Sequence, residues 1–277
     1  MPKSMFGRIR VARTVALAVV IGIGLFNLYQ AAANWTLSDG SAYWNAALRL
    51  REGLPLYPPL TNVDASEVYR YAPWFAWATV PITWLPVQVA GALWSAVLLA
   101  ASAAAVVPLA RARAWILVAL FAPILVGISA GGNIQPLLVA ALVWGVERPR
   151  GPLWIGLAAS LKIFPILFVV VYLGRREWAR AMLAVAVAAA LWAPALLYDL
   201  RNYPSGAGQA ASLLALPPLW AFVLGAGVIL TLRLARTDFA WLAAATNVVV
   251  SLPRIFVYDV SFLVVGMAAT RRPTRVQ

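Results

Sequence analysis

One polar stretch, residues 34–71, carries the side chains best suited to acid–base chemistry in this chain. Four of the nine acidic residues lie in it: Asp39, Glu52, Asp64 and Glu67. Asp39 follows the first long apolar segment most closely, where a lipid-embedded and a water-borne molecule could meet. A carboxylate at that position can act as a general base, which takes a proton from an incoming hydroxyl group.

Asp39 also has a possible structural role. Ser38 or Asp39 can cap a helix over residues 40–52, because their side-chain oxygens accept hydrogen bonds from the free N–H groups of the first turn. The apolar residues of such a helix would lie on the membrane surface. Asp39 is therefore either a general base or a helix cap, and the sequence leaves both roles open.

The residue types that are missing limit the chemistry further. The chain contains no cysteine and no histidine. This excludes disulfides, thiol nucleophiles, imidazole bases and metal sites built from thiolate or imidazole ligands. Catalysis would have to use carboxylates, lysine, arginine, tyrosine or a metal ion with oxygen ligands. No paired-acid metal motif is visible, so a divalent cation, Mg²⁺ or Mn²⁺, stays open as a cofactor.

The composition is that of a membrane protein. Of 277 residues, 63% are hydrophobic and 11% are charged. This predicts an all-α, polytopic membrane protein, a single membrane domain over residues 1–277, with about 8–10 segments that could enter a hydrocarbon core of roughly 30 Å. The approximate apolar segments are 14–33, 72–87, 88–110, 114–130, 133–147, 153–173, 181–198, 213–233, 238–252 and 255–270.

The net charge of +13 comes mainly from arginine clusters between these segments. No basic stripe with interleaved aromatic residues occurs, so nucleic-acid binding is excluded. The clusters follow the positive-inside rule. They predict a multi-pass protein of the cytoplasmic membrane with both termini in the cytoplasm and the 34–71 loop outside, where it would bear the active site.

Ten complete crossings would place two arginine clusters outside, at Arg111/Arg113 and Arg148/Arg150. The conflict disappears if segment 72–87 dips without crossing and segment 153–173 is a broken hairpin. Prolines interrupt both segments, and Lys162 interrupts the second. Broken helices are tolerated in a membrane where they line a protein-enclosed, watered cavity. Both topologies stay open, and the second predicts that Lys162 lies near the hairpin turn and faces such a cavity.

Short motifs occur in a fixed order along the chain. They are Asp39-Gly-x-x-Tyr43, Gly53-x-x-x-Tyr57, Tyr69-x-Tyr71-x-Pro73, Pro81-x-x-x-Leu85-Pro86, Gly132-Asn133-Ile-Gln135, a Lys162-Ile-Phe-Pro165 run and Arg175-Arg-Glu-Trp178-Ala-Arg180. In order and spacing, the stretch 14–200 resembles glycosyltransferase family 87, integral-membrane sugar transferases of the C type that include mannosyltransferases. Family members usually have Gly-Gln-x-Asn where this chain has Gly132-Asn133-x-Gln135, so the two amides are exchanged.

The resemblance implies an inverting transferase that takes its sugar, a mannose-like hexose or a pentose, from a polyprenyl-phosphate carrier. Asp39 would be the catalytic base. The implied partners are the polyprenyl-phosphate-linked sugar, a lipid or glycan acceptor and membrane lipids. The residues suit this implication, because the chain has neither a glycine-rich nucleotide loop nor a soluble domain for a nucleotide sugar. The residues predicted to bind substrate are Tyr43, Tyr57, Arg70, Tyr71, Asn133, Gln135, Lys162, Arg201, Arg254 and Asp259.

Four of these residues are cations that the cytoplasmic clusters do not explain: Arg70, Lys162, Arg201 and Arg254. Each is a candidate for contact with the carrier's phosphate. Lys162 lies inside an apolar segment, where an ionisable residue costs roughly a few kcal/mol and is a functional candidate by default. Its alternative role is structural, with the ammonium group reaching an interface or pairing with an acid.

The polar residues of the later segments have two interpretations as well. Asn133 and Gln135 could bind sugar hydroxyls or cap the helix that they open. Asp199 and Asp259 could hold a divalent ion or a sugar hydroxyl, and pairing with a nearby arginine is the alternative for each.

Two other functions stay in view. A transporter or lipid–glycan flippase would also use broken helices and charges within the membrane. Against it, the chain shows no paired half-repeats and keeps its acids outside the membrane centre. A non-catalytic homologue is the other alternative, because the chain is shorter than typical family members. Substitution of Asp39 separates the enzyme from both.

Overall fold

The computed structural model of the protein describes residues 3–33, 38–59, 62, 65, 67–204 and 212–271. Within these ranges the chain is all-helical, as predicted, and contains no strand. The α-helices are α1 (Lys3–Ala33), α2 (Ser38–Arg51), α3 (Pro73–Thr79), α4 (Val87–Arg111), α5 (Trp115–Ala130), α6 (Gln135–Gly145), α7 (Gly151–Leu161), α8 (Val169–Gly174), α9 (Trp178–Trp192), α10 (Pro217–Leu234), α11 (Ala240–Ser251) and α12 (Leu263–Ala269). Short 3-10 helices cover Val80–Trp84, Phe164–Phe168, Ala193–Leu197, Leu213–Ala215 and Val257–Phe262.

Three stretches of the described residues are long and apolar enough to cross a bilayer. They are Val87–Arg111, Trp178–Leu197 and Pro217–Leu234. Apart from α1, which has 31 residues, the other apolar helical stretches in this part of the chain have 10–17 residues, fewer than the roughly 20 that a full crossing needs. Several of the predicted segments are therefore pairs of short helices with a break between them.

Helix α2 forms where the polar loop was predicted to contain a helix, but its apolar face packs on protein. Ala42, Ala46 and Ala47 are almost fully buried, and α2 lies against α3 and the 3-10 helix Val80–Trp84. Small side chains let these elements approach closely. The prediction that this face lies on the membrane surface is therefore wrong.

The segment after the polar loop starts and ends beside α2. Phe75 of α3 packs edge-on against Tyr43, with ring centroids 5.0 Å apart. At the other end, the Arg51 guanidinium donates to the Thr83 carbonyl oxygen over 2.8 Å. A segment with both ends along one 14-residue helix does not span a bilayer. The topology in which this segment dips without crossing agrees with these contacts.

Helices α7 and α8 form the broken hairpin of the same topology. After Leu161 the backbone leaves the helix, and Lys162 is extended with φ −134° and ψ 118°. The chain then returns, because the Tyr172 hydroxyl donates to the Val146 carbonyl oxygen over 2.7 Å. The arginine-rich ends meet as well, since Arg180 donates to the Arg148 carbonyl oxygen over 2.6 Å. The predicted place of Lys162 near a hairpin turn is confirmed.

Helices α11 and α12 form a second hairpin. Gly266 of α12 packs so closely on the Leu242 backbone near the start of α11 that a Cβ atom would not fit. The two helices are thus antiparallel, and residues 252–256 make the turn between them. This turn and the Lys162 turn face each other, and their meeting point forms one wall of the site.

Candidate active site

A cavity of about 450 Å³ opens between the start of α2, the loop before α6 and the two hairpin turns. Its polar lining residues are Asp39, Arg70, Tyr71, Asn133, Lys162, Tyr203, Arg254, Tyr258 and Asp259. Seven of the eleven residues predicted for the site are among them. The fold therefore gathers side chains that lie more than 200 positions apart in the sequence, from Asp39 to Asp259.

Asp39 lies in the first turn of α2 and is held through both its backbone and its carboxylate. The N–H groups of Asp39 and Gly40 donate to the Gly131 carbonyl oxygen over 2.9 and 3.1 Å. The Asn133 Nδ2 donates to Oδ2 of Asp39 over 3.0 Å. The Oδ1 of Asn133 accepts from the Gln135 N–H over 2.9 Å, which fixes the orientation of the amide and directs its donor at the carboxylate.

The loop that carries Asn133 is itself held by two aromatic residues. The Trp94 indole N–H donates to the Gly132 carbonyl oxygen over 2.7 Å, and the Ile134 N–H donates to the Tyr43 hydroxyl over 3.2 Å. Gly132 has φ 74°, in the left-handed region that favours glycine. The position of the Asn133 amide therefore depends on this glycine and on the buried side chains around it.

Burial raises the pKa of the Asp39 carboxyl above its ordinary value of 3.8. The hydrogen bond from Asn133 and the positive charges of Lys162 and Arg70 oppose that shift. A carboxylate with a raised pKa is a stronger base than an exposed aspartate. Asp39 thus has the electrostatic setting of a general base.

The cation on the opposite wall is part of a buried ion pair. The Lys162 ammonium lies 3.1 Å from Oδ1 of Asp259, whose side chain is 2% exposed. The other oxygen, Oδ2, accepts from the Phe256 N–H over 2.9 Å, and the ammonium sits 4.8 Å from the Tyr258 ring centroid. Asp259 thus forms its ion pair with Lys162 and not, as the pairing hypothesis had it, with an arginine. Lys162 does face the protein-lined cavity, as predicted.

Two arginines complete the positive side of the cavity. The Arg70 guanidinium donates to the carbonyl oxygens of Val68 and Ala65, each over 3.2 Å. The Arg254 guanidinium lies 4.8 Å from the Phe256 ring centroid. With Lys162 they make three cations against the two carboxylates of Asp39 and Asp259, a formal net charge of +1 on the lining.

Three residues predicted to bind substrate lie behind the cavity wall. Tyr43 is buried, and its hydroxyl donates to the Tyr71 hydroxyl over 3.1 Å. The hydroxyl of buried Tyr57 donates to the Tyr71 carbonyl oxygen over 2.8 Å. Gln135 is fully buried, and its Nε2 donates to Ser261 over 3.2 Å. Tyr43, Tyr57 and Gln135 therefore support the wall rather than contact a ligand in this cavity.

Arg201 lies outside the cavity altogether. Its exposed guanidinium pairs with Asp199, and Nε lies 2.9 Å from Oδ2 of that carboxylate. The hydrogen bonds from Arg201 lower the pKa of Asp199 to about 2. The pairing hypothesis for Asp199 is thus the one that the structure supports, and Arg201 is removed from the phosphate-contact candidates by its position.

The cavity also contains aromatic residues that the sequence analysis did not select. Phe256 and Tyr258 stack with centroids 5.1 Å apart and planes 9° from parallel, and Trp192 and Tyr203 form another part of the lining. Tyr258 lies four residues after Arg254 and directly precedes Asp259, and this position next to two charged residues is the only signal for it in the sequence. Trp192 and Phe256 lie within or next to apolar runs that predict membrane contact equally well. Tyr203 lies in a polar stretch and has no separate signal.

A metal site is not evident in the described part of the chain, where no three potential ligands of the Asp, Glu, His or Cys types come together. Asp39 and Asp259 both reach the cavity, and each already accepts hydrogen bonds from protein groups. The expectation of a possible Mg²⁺ or Mn²⁺ ion stays a prediction.

Comparison with known proteins bears on the identity of this site. The model of glycosyltransferase family 87 matches residues 69–203. That range includes four cavity residues predicted from the sequence, Arg70, Tyr71, Asn133 and Lys162, while Asp39 precedes it and the second hairpin turn follows it. Neither a curated protein nor a solved structure matches the chain. The family match agrees with the resemblance found from the motifs: residues 69–203, just under half of the chain, are similar to glycosyltransferase family 87.

Proposed function

We propose that this membrane glycosyltransferase moves a sugar from a polyprenyl-phosphate carrier to a hydroxyl of a lipid or glycan acceptor, with inversion at the anomeric carbon. The reaction would take place at the outer face of the cytoplasmic membrane, with both termini in the cytoplasm. The sugar would be a mannose-like hexose or a pentose. One observation carries the proposal: a partly buried carboxylate, Asp39, shares a single cavity with three cations.

Asp39 performs the proton transfer in this mechanism. Its carboxylate accepts the proton of the acceptor hydroxyl, whose oxygen then attacks the anomeric carbon of the donor sugar. Attack from the face opposite the leaving group inverts that carbon. The hydrogen bond from Asn133 keeps one carboxylate oxygen in place, which leaves the other oxygen to face the acceptor. A positioned base of this kind contributes roughly 10²- to 10⁴-fold to the rate.

The cations act on the leaving group. As the bond between the anomeric carbon and the phosphate oxygen breaks, its electron pair stays on the phosphate, and polyprenyl phosphate leaves. Arg70, Lys162 and Arg254 face the same cavity, and fixed positive charges in a partly buried site stabilise the negative charge that develops there. The departing oxygen then needs no proton from an acid.

The charge of the lining favours a monophosphate carrier. A sugar linked through one phosphodiester carries a single negative charge, which matches the formal +1 of the five charged lining residues. A diphosphate-linked sugar or a nucleotide sugar brings at least one more negative charge, which this lining would leave without a partner.

The apolar part of the lining suits an isoprenoid chain. Leu161, Ile163 and Phe164 at the first hairpin turn and Leu252 and Pro253 at the second line the cavity. Ile163 is 63% exposed, so the apolar edge continues to the surface of the protein. A lipid chain can leave the cavity along this edge without crossing a polar wall.

The experiment that tests the donor class uses purified protein in lipid nanodiscs. It receives radiolabelled polyprenyl-phosphate-mannose, polyprenyl-diphosphate-linked sugar or GDP-mannose, each with a membrane lipid extract as acceptor. Transfer from the polyprenyl monophosphate alone is the expected result. Transfer from the nucleotide sugar, or equal use of the diphosphate, would contradict the proposal.

A further inference from the structure

A second cavity lies on the other side of the wall that Tyr57 supports. Its volume is about 590 Å³, which lies within the usual range for ligand sites. Among the described residues, its polar side chains are Asn45, Arg49, Glu52, Tyr57, Asn62, Glu67, Tyr69 and Asn202. None of these lines the first cavity.

The two cavities share a thin and rigid partition. Arg70 and Tyr203 line the first cavity, while their chain neighbours Tyr69 and Asn202 line the second. The Tyr203 hydroxyl donates to the Arg70 carbonyl oxygen over 3.0 Å and so joins the two segments. Neighbouring residues of each segment thus face opposite cavities, and only the width of one chain separates the two cavities.

Tyr57 strengthens the same partition from the second cavity. Its ring stacks on Tyr69 at 6.1 Å between centroids and meets Tyr203 edge-on at 5.2 Å. Its hydroxyl donates to the Tyr71 carbonyl oxygen. A molecule in the second cavity would therefore lie next to the reacting centre without displacing any of its groups.

The chemistry of the second cavity differs from that of the first. Arg49, Glu52 and Glu67 give its lining a formal charge of −1, so it repels a phosphate that the first cavity attracts. The Arg49 Nε already donates to the Pro55 carbonyl oxygen over 2.6 Å. The amides of Asn45 and Asn202 both donate and accept hydrogen bonds, and the carboxylates accept them. This mixture suits a neutral molecule with many hydroxyl groups.

We propose that the second cavity binds a neutral oligosaccharide, the part of a glycan acceptor beyond the sugar that is modified. This inference rests on the proposed glycosyltransferase function and narrows its acceptor to a glycan of two or more sugars. The acceptor's terminal or branching sugar, to which the new sugar is transferred, would lie at Asp39. The other sugars of the acceptor would lie in the second cavity against Asn45 and Asn202.

The binding test does not require transfer. Protein in nanodiscs is applied to an array of neutral, sulfated and phosphorylated oligosaccharides. The variants are the double substitution Asn45→Ala/Asn202→Ala and the control Gln88→Ala, an exposed amide outside both cavities. Asn45 and Asn202 are exposed, so the double variant is expected to fold, and size-exclusion chromatography checks this.

Wild-type protein and Gln88→Ala should bind the same neutral oligosaccharides, and the double variant should lose at least about tenfold in affinity. Binding of no glycan, preference for anionic glycans, or equal binding by the double variant would overturn the inference. Selective glycan binding without transfer from any donor would support the second cavity and contradict the proposed function, so the two failures are distinguishable.

Discussion

The amide of Asn133 donates a hydrogen bond of 3.0 Å to the carboxylate of Asp39, which lies 94 residues earlier in the chain. The bond joins the first turn of α2 to the loop before α6. It places the carboxylate at the cavity edge and opposes the increase in its pKa that burial causes. Geometry and basicity of the site therefore depend on the same contact.

The pH dependence of transfer should report this contact. Asp39 must be ionised to accept a proton, and its pKa is raised, so activity should fall on the acid side with an apparent pKa above 3.8. Asn133→Ala removes a hydrogen bond that lowers that pKa, so the acidic limb should move to higher pH. The maximal rate should fall roughly tenfold, because a hydrogen bond to a charged group is worth about 1.5 kcal/mol. Profiles of kcat against pH for the wild type and for Asn133→Ala measure both effects. An acidic limb at the same pH in the two proteins would contradict the expected shift.

The ion pair between Lys162 and Asp259 should separate stability from activity. Lys162→Met leaves the buried Asp259 carboxylate without its cation, and the free energy of unfolding should fall by roughly 3–5 kcal/mol. The double variant Lys162→Met/Asp259→Asn removes both charges and should recover much of that stability. It should not recover transfer, because the cation that faces the phosphate is still missing. Thermal unfolding measures the stability of each variant, and the transfer rate measures its activity. If the double variant recovers both stability and transfer, the role of Lys162 is purely structural.

Gly132 should matter more for activity than for stability. Its φ of 74° strains any other residue by roughly 1 kcal/mol, and in Gly132→Ala the relief of that strain would move the Asn133 amide. Gly53 has φ 70° and open space around it, and it does not line the cavity that contains Asp39. Gly53→Ala is therefore the matched control. Both variants should lose similar stability, and only Gly132→Ala should lose transfer, by about tenfold or more. Equal transfer rates would show that the loop geometry does not position the base.

Cysteine labelling tests the orientation, because the native chain has no cysteine. Asn62 is exposed between α2 and α3, and Thr237 is exposed between α10 and α11. Ser66, an equally suitable loop position in the sequence, lies outside the described residues. An impermeant maleimide added to intact cells should label Asn62→Cys and leave Thr237→Cys unlabelled until the membrane is opened. The reverse pattern would place the cavity on the cytoplasmic side.

Much of this arrangement could be predicted from the sequence because it depends on local signals. Lys162 and Pro165 lie within an otherwise apolar segment, and a charge next to a helix-breaking residue predicts a break there. Asp39 follows directly after an apolar segment, which predicts its place near the membrane boundary. Each of these signals involves only a few neighbouring residues, so both features can be predicted from the sequence of a single segment.

The remaining features depend on contacts between distant segments. That Asp259 meets Lys162 follows from the antiparallel packing of two hairpins, which no short motif encodes. The face of α2 with Ala42 and Ala46 is equally apolar whether it meets lipid or protein, so composition could not separate the two. Tyr43 could either contact a ligand or support a wall, and only its packing against Tyr71 and Ile134 decides.

The rate of sugar transfer by Asp39→Asn tests the central claim most directly. Asparagine caps helices about as well as aspartate and can still accept the hydrogen bond from Asn133, so shape and stability should stay constant. Asp238→Asn, at an exposed position between α10 and α11, is the control and should transfer like the wild type. Loss of the base should lower kcat by roughly 10²- to 10⁴-fold. Transfer at the wild-type rate by a folded Asp39→Asn protein would show that Asp39 is not the catalytic base.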